Sequence, residues 1–194
     1  MLLYRKIHKT LEIRLGLCYT VRMKYDYVTL YNKNVEFYNT HPTAKRALKI
    51  GNIVLTWLFF ACYGVLWVYA LFLDRFATMD LIKILFFPLL TLLTVSVLRL
   101  AITRPRPYSE NGAGITPLVN KKKADDKSFP SRHLACATVI ATTFLPFYPV
   151  AGAFLLGTSV LLGYIRFALG LHYPSDLLAG AGIGILLGSF LLIL

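Results

Sequence analysis

Uncharged, strongly apolar runs alternate with short polar segments along most of the chain. The first covers residues 53–73 and the second about 81–102. A third run, from Leu134 to Ile165, has 32 residues, too many for one ordinary crossing of about 20. Two prolines in Leu145-Pro-Phe-Tyr-Pro149 supply a turn within it, because proline disfavours a continuing helix. With a last run after Asp176, the pattern predicts an all-α, multi-pass helical bundle of the cell membrane, with about five transmembrane helices.

Three glycines recur at every fourth position of the last predicted span. Gly180, Gly184 and Gly188 fall on one face of a helix and allow close contact with a neighbour. We expect this face to pack inside the bundle, and a dimer interface is the alternative.

The first 50 residues have a different composition from the rest of the chain. Ten of the 21 Lys and Arg residues precede residue 50, together with six tyrosines. Basic and aromatic residues beside a membrane span are typical of an interfacial segment, although a solvated tail fits the composition equally well. We therefore predict an interfacial N-terminal segment, 1–50, and a transmembrane domain, 51–194, that carries the activity.

The net charge of +12 indicates anionic partners. Nucleic acid is a poor explanation, because no recognisable binding module accompanies the charge. Anionic membrane lipids and a phosphorylated substrate explain it better. The run Lys121-Lys-Lys123 is read as a solvated loop face.

Three ionisable residues stand out within the apolar C-terminal part of the chain. Between residues 134 and 194, the only Lys, Arg, Asp, Glu or His residues are Arg166, His172 and Asp176. An ionisable group in such surroundings is functional by default, because burying it unpaired is costly. Pro174 suits the first turn of a helix, so His172 lies in a connection and Asp176 lies in the next helix. Asp176 can then hold one ring nitrogen of His172 and leave the other as a nucleophile. The alternative is an interfacial His next to an Asp that only caps the helix, because the same sequence fits that arrangement.

Alternation of the spans brings more polar residues to the same membrane face. Arg99 and Arg106 follow the second span and Arg166 ends the fourth. Planar guanidinium groups suit a phosphate dianion. Ser131 occupies the N-cap position of the third helix, where backbone N–H groups form an anion site, and His133 lies just inside it. We therefore expect one phosphate pocket with two histidines.

This set of residues permits phosphoryl transfer. His172 would attack phosphorus, while His133 would protonate the leaving oxygen and then activate water for hydrolysis of the phosphohistidine. Acid–base assistance contributes roughly 10²–10⁴-fold in rate, and charge stabilisation by the arginines is the larger share. We expect no metal and no other cofactor, because acidic residues are few and no His or Cys cluster has ligand spacing.

Three motifs resemble those of the type 2 phosphatidic acid phosphatase (PAP2) and haloperoxidase superfamily, in its lipid phosphate phosphatase branch. They are Arg99-x6-Arg106-Pro107, Pro130-Ser-Arg-His133 and Arg166-x5-His172-x3-Asp176. The family patterns are K-x6-R-P, P-S-G-H and S-R-x5-H-x3-D, and every spacing is kept. The resemblance implies a helical membrane enzyme that dephosphorylates lipid phosphates without a metal.

The resemblance also implies a role for each matched residue. His172 is the nucleophile, Asp176 its partner and His133 the acid. The residues that bind phosphate are Arg99, Arg106, Ser131 and Arg166.

Three positions depart from the family motifs. Arg99 replaces the usual Lys and keeps the charge, while Ile165 replaces a Ser that would donate to phosphate. Arg132 replaces a Gly and adds a cation that either binds a second phosphate of the substrate or faces water.

Three functions compete at this stage. The first is a lipid phosphate or diphosphate phosphatase acting on undecaprenyl diphosphate, phosphatidylglycerol phosphate or phosphatidic acid. The second is a phosphotransferase that passes the phosphoryl group to another lipid. The third is a non-catalytic lipid-binding or transport protein, and His133, His172 and Asp176 weigh against it because a binder needs no nucleophile.

Overall fold

The computed structural model describes residues 26–72, 76–120 and 127–193, and in these parts of the chain it is helical, without strands. The lysine run at 121–123 lies outside the described residues. The helices are α1 (26–40), α2 (Pro42–Phe72), α3 (Thr78–Ala101), α4 (Arg132–Phe144), α5 (Pro149–Ala168) and α6 (Pro174–Ile193). The all-α membrane bundle predicted from the sequence is confirmed.

In the described parts of the chain, four helices are long and apolar enough to cross a membrane, namely α2, α3, α5 and α6. The remaining bundle helix, α4, has 13 residues. Such a helix is about 20 Å long, which is less than the hydrocarbon thickness of about 30 Å. The predicted count of about five spans is therefore approximate, with four full-length helices and a shorter one. The predicted turn is present, because α4 ends at Phe144 and α5 begins with Pro149 in its first turn.

The short helix α4 is the centre of the bundle. It packs against α2, α3, α5 and α6. From Leu134 to Phe144 all of its residues are buried except the half-buried Cys136. The outer helices instead expose large apolar side chains such as Trp57 and Leu93, which suits helices that face lipid. A helix enclosed on all sides can hold polar groups in fixed positions.

Close packing of α6 on α4 depends on the glycine face. A Cβ atom at Gly180 would overlap the carbonyl oxygen of Ser131. One at Gly184 would overlap the Thr138 hydroxyl, and one at Gly188 would overlap that of Thr142. The prediction that this face packs inside the bundle is confirmed.

Helix α1 lies against α5 and the loop that follows α3. Its buried tyrosines are Tyr27, Tyr31 and Tyr38. The Tyr31 hydroxyl donates to the carbonyl oxygen of Thr116 at 2.9 Å, and the hydroxyls of Tyr38 and Tyr164 are 3.0 Å apart. The following helix α2 runs without a break past residue 50, and the division of function at that residue remains a prediction.

Candidate active site

The ends of four helices meet at one end of the bundle, as alternation predicts, and they surround a pocket of about 320 Å³. The pocket is lined by Ser96, Leu100, Arg99, Arg106, Lys127, Arg132, His133 and His172. Five of the eight predicted site residues therefore line one pocket, although they are spread over more than 70 residues of sequence (residues 99 to 172). The other three, Ser131, Arg166 and Asp176, lie beside it.

His172 is fixed in a short connection between α5 and α6. Gly170 ends α5 with a φ of 75°, a left-handed conformation that glycine adopts without strain. The ring that follows is buried, with 1% of the residue exposed. Its Nδ1 is 3.7 Å from Asp176 Oδ2 and 3.5 Å from the Ser128 hydroxyl oxygen. That hydroxyl in turn donates to Asp176 Oδ2 at 2.5 Å, so it lies beside both predicted partners.

The surroundings of His172 favour a neutral ring. Burial lowers the pKa of His172 below its ordinary value, and the nearby cations Arg106 and Arg166 lower it further, whereas Asp176 partly opposes this shift. A neutral imidazole has one nitrogen that can act as a nucleophile. Because Nδ1 lies on the side of Asp176 and Ser128, Nε2 is the atom left to react.

Asp176 lies in the first turn of α6, as the sequence predicts, and is fully buried. Its Oδ1 accepts a hydrogen bond from Arg104 Nη1 at 2.7 Å. Its Oδ2 accepts one from the backbone N–H of Tyr173 at 3.1 Å, besides the bond from Ser128. A carboxylate surrounded by donors in this way stays charged and keeps one orientation.

Three of the four predicted arginines are held at the same end of the bundle by different elements. Arg99 donates from Nη1 to the carbonyl oxygen of Pro130 at 3.1 Å, and Arg106 donates to that of Leu171 at 3.3 Å. Arg166 is buried and donates to the Thr56 hydroxyl at 3.3 Å. Arg99 and Arg106 reach the pocket directly, whereas Arg166 acts on His172 through its charge.

The start of α4 presents three consecutive predicted residues. Ser131 is at the N-cap position, but its side chain makes no cap bond, and its buried hydroxyl has no hydrogen-bond partner among the described residues. Its backbone N–H donates to the carbonyl oxygen of Asp176 at 2.9 Å, which ties α4 to α6. Arg132 and His133 are exposed and line the pocket. His133 is therefore exposed to solvent, whereas His172 is buried at the wall of the same pocket.

Sequence reasoning missed three residues at this site. Arg104 and Ser128 contact Asp176, and Lys127 lines the pocket. The backbone N–H of Ser128 donates to the carbonyl oxygen of Arg104 at 2.8 Å, so the two loop segments position each other. The sequence signal for these residues was their nearness to predicted site residues. Arg104 lies two residues before Arg106, and Ser128 lies three residues before Ser131.

No group of three or more His, Cys, Asp or Glu residues in the described parts of the chain could hold a metal ion. The prediction of a metal-independent reaction stays a prediction.

Comparison with known proteins is consistent with this geometry. The family model of the PAP2 superfamily matches residues 80–194, which include every predicted site residue. The structure is similar to that of Aquifex aeolicus LpxE, with 26% sequence identity, a TM-score of 0.54, and coverage of 77% of this chain and 94% of that chain. It shares its fold with a PAP2-type phosphatidylglycerolphosphate phosphatase from Bacillus subtilis, with 21% identity, a TM-score of 0.50, and coverage of 87% and 93%.

No protein of curated function matches the sequence. The family model covers more than half of the chain, and the bundle and its pocket agree with it. This chain therefore belongs to the PAP2 superfamily, and it is a membrane lipid phosphatase, a phosphoric monoester hydrolase.

Proposed function

We propose that this phosphatase hydrolyses its lipid substrate through a phosphohistidine on His172. The observation that carries the proposal is a pocket lined by a buried His172, an exposed His133 and several cations. A phosphate bound among these cations would have the nucleophile and the acid within reach at once.

The reaction takes two steps. In the first, Nε2 of His172 forms a bond to phosphorus, the bond from phosphorus to the lipid oxygen breaks, and His133 gives that oxygen a proton. In the second, His133 takes a proton from a water molecule that attacks phosphorus, and the phosphorus–nitrogen bond breaks to release inorganic phosphate. Asp176 stabilises the positive charge that the His172 ring carries in the intermediate.

The cations stabilise negative charge on phosphate in both steps. Arg99 and Arg106 line the pocket, and Arg166 and the Ser131 hydroxyl complete the phosphate-binding set from beside it. Donors that are held in place before the reaction supply much of the rate enhancement in phosphoryl transfer. Arg132 stands at the exposed rim and binds the second phosphate when the substrate is a diphosphate.

A membrane lipid is favoured by an apolar pocket of about 180 Å³ that adjoins the phosphate pocket. It is lined by Phe59, Phe60, Leu92 and other apolar side chains, and it shares Arg132 and His133 with the phosphate pocket. A lipid could place its chain there while its phosphate reaches His172. Undecaprenyl diphosphate, phosphatidylglycerol phosphate and phosphatidic acid are the candidate substrates.

Phosphate release by the purified protein in detergent and chelator tests the proposal. We expect release from at least one of the three lipids and none from the His172→Ala variant. Release only when a second lipid is added, with the phosphoryl group found on that lipid, would identify a phosphotransferase. Binding of all three lipids without release would identify a non-catalytic binder, and loss of activity in chelator would contradict metal independence.

A further inference from the structure

A stack of side chains connects the buried carboxylate of Asp176 to the N-terminal helix α1. Arg104 pairs with Asp176, and its guanidinium carbon lies 4.4 Å from the centre of the Tyr173 ring. The ring centroids of Tyr27, on α1, and Tyr173 are 4.8 Å apart. The order from the carboxylate outward is thus Asp176, Arg104, Tyr173 and Tyr27.

Arg104 has a defined geometry at this position. Its Nη1 donates to Asp176 Oδ1 at 2.7 Å and to the Ser175 hydroxyl at 2.8 Å, while 32% of the side chain is exposed. It does not line the phosphate pocket. Holding Oδ1 sets the rotation of the carboxylate, and Oδ2 then faces Ser128 and His172. Arg104 therefore acts on the nucleophile through Asp176 and without contacting phosphate.

Tyr27 is the member of this series that lies farthest from Asp176. It is 5% exposed, and within the described residues its buried hydroxyl has no hydrogen-bond partner. The contribution of Tyr27 is therefore made by its ring, which also packs edge-on against Phe167 at a centroid distance of 6.0 Å. A cation over an aromatic face is attracted to it, so fixing the ring of Tyr173 also fixes Arg104.

We propose that Arg104 is a positioning residue for Asp176, and that Tyr27 of helix α1 holds Arg104 in place through Tyr173. This inference rests on the proposed function, in which Asp176 and His172 act in turnover. The matched family region begins at residue 80, so α1 lies outside it while Arg104, Tyr173 and Asp176 lie inside. Helix α1 then helps to position the residues that act in turnover.

Substitution of Arg104 separates positioning from phosphate binding. Arg104→Ala is expected to lower kcat roughly 10- to 100-fold, the scale of a misplaced reacting group, while KM stays near that of the parent. Added guanidinium ion, at a concentration that does not unfold the protein, should restore part of kcat in Arg104→Ala. Arg104→Lys keeps the charge, and its kcat should lie between those of the parent and Arg104→Ala. Lys33→Ala removes an exposed cation of α1 and serves as the control.

Substitution of Tyr27 tests the outer part of the stack. Tyr27→Ala removes the ring contact and should lower kcat about two- to tenfold, the scale of one aromatic pair. Tyr27→Phe keeps the ring and should rescue kcat relative to Tyr27→Ala. Phe37→Ala is the matched control, because Phe37 is an exposed aromatic residue of the same helix.

The outcomes that contradict the inference are distinct from those that contradict the proposed function. Parental kcat in Arg104→Ala overturns the inference. The inference is also overturned if Arg104→Ala has a lower melting temperature than the parent and guanidinium does not restore its activity. Arg104 would then have only a structural role. Parental turnover in His172→Ala would instead overturn the proposed function. If Arg104 behaves as expected and Tyr27→Ala matches the parent, the link to α1 is wrong.

Discussion

The two histidines stand in opposite surroundings within one pocket. His172, Asp176 and Ser128 form a closed half, in which no residue is more than 1% exposed. Arg132 and His133 form an open half at the exposed rim. The contrast fits the tasks proposed for them, because a nucleophile must be held in one orientation, whereas an acid that later activates water needs access to solvent. Substitutions in the closed half should abolish hydrolysis of every substrate. Substitutions in the open half should lower the rate by a factor that differs between substrates.

Replacement of the nucleophile should have the largest effect. His172→Ala is expected to abolish both covalent phosphorylation and phosphate release, because no other group beside the pocket matches its position. Asp176→Asn keeps the shape of the side chain but removes the charge that stabilises the His172 tautomer, and its activity should lie between those of His172→Ala and His133→Ala. The measurement is acid-labile, base-stable labelling of the protein by a radiolabelled substrate over time. Parental labelling of His172→Ala would refute the assignment.

Replacement of the acid should give an effect that depends on the leaving group. His133→Ala is expected to slow hydrolysis of a lipid phosphate by roughly 10²–10⁴-fold, because the departing alkoxide must be protonated. With an activated aryl phosphate the first step needs little acid, so phosphohistidine should form and then hydrolyse slowly. Equal losses on both substrates would show that His133 does not act as the acid.

The contact between α4 and α6, which connects the two halves, can be tested at the glycine face of α6. The open half begins α4, and α6 carries Asp176 of the closed half, so their contact sets the distance across the site. Gly184→Ala would overlap Thr138 and should destabilise the fold by about 1–3 kcal/mol. Gly182→Ala is the matched control, because its added Cβ would meet no atom within 4 Å. Equal melting temperatures for the two variants would show that α6 does not need this close approach.

The rim cation should give the smallest effect. Arg132→Gly is expected to reduce cleavage of a diphosphate about tenfold more than cleavage of a monophosphate, since one charge-assisted hydrogen bond is worth about 1.5–3 kcal/mol. The ratio of kcat/KM for the two substrates is the measurement. An unchanged ratio would mean that Arg132 faces water and does not select the substrate.

Most of the fold could be predicted from the sequence because burial in a membrane leaves long uncharged runs. The turn at Pro149, the position of Asp176 and the inward glycine face all follow from local rules on proline, helix termini and close packing. The start of α2 at Pro42 could not be predicted in this way, because its first turns are polar and look like part of a tail. Apolarity marks the part of a helix that lies within the membrane and leaves out a polar extension such as the first turns of α2.

The candidate site shows the same limit at the level of single residues. His172 and Asp176 could be identified because ionisable groups are rare in their surroundings. Arg104 and Ser128 lie in a polar loop where such residues are common, and their importance arises only when folding brings them to Asp176. The contact of Ser128 with both His172 and Asp176 was also beyond the sequence, because nothing in the motifs places a serine hydroxyl beside these two residues.

The shortness of α4 has a consequence for how the protein is assembled. A helix of 13 residues that contains buried threonines is too short to rest in a bilayer alone as a crossing segment. Its threonine hydroxyls donate to carbonyl oxygens of their own helix, and its backbone is covered by its neighbours. We expect α4 to enter the membrane as a hairpin with α5 and to settle when α6 docks. The hydrogen bond from the Ser131 backbone N–H to the Asp176 carbonyl oxygen would then form only at the last step of biogenesis, so an incompletely inserted chain would lack a fixed pocket and carry no phosphatase activity.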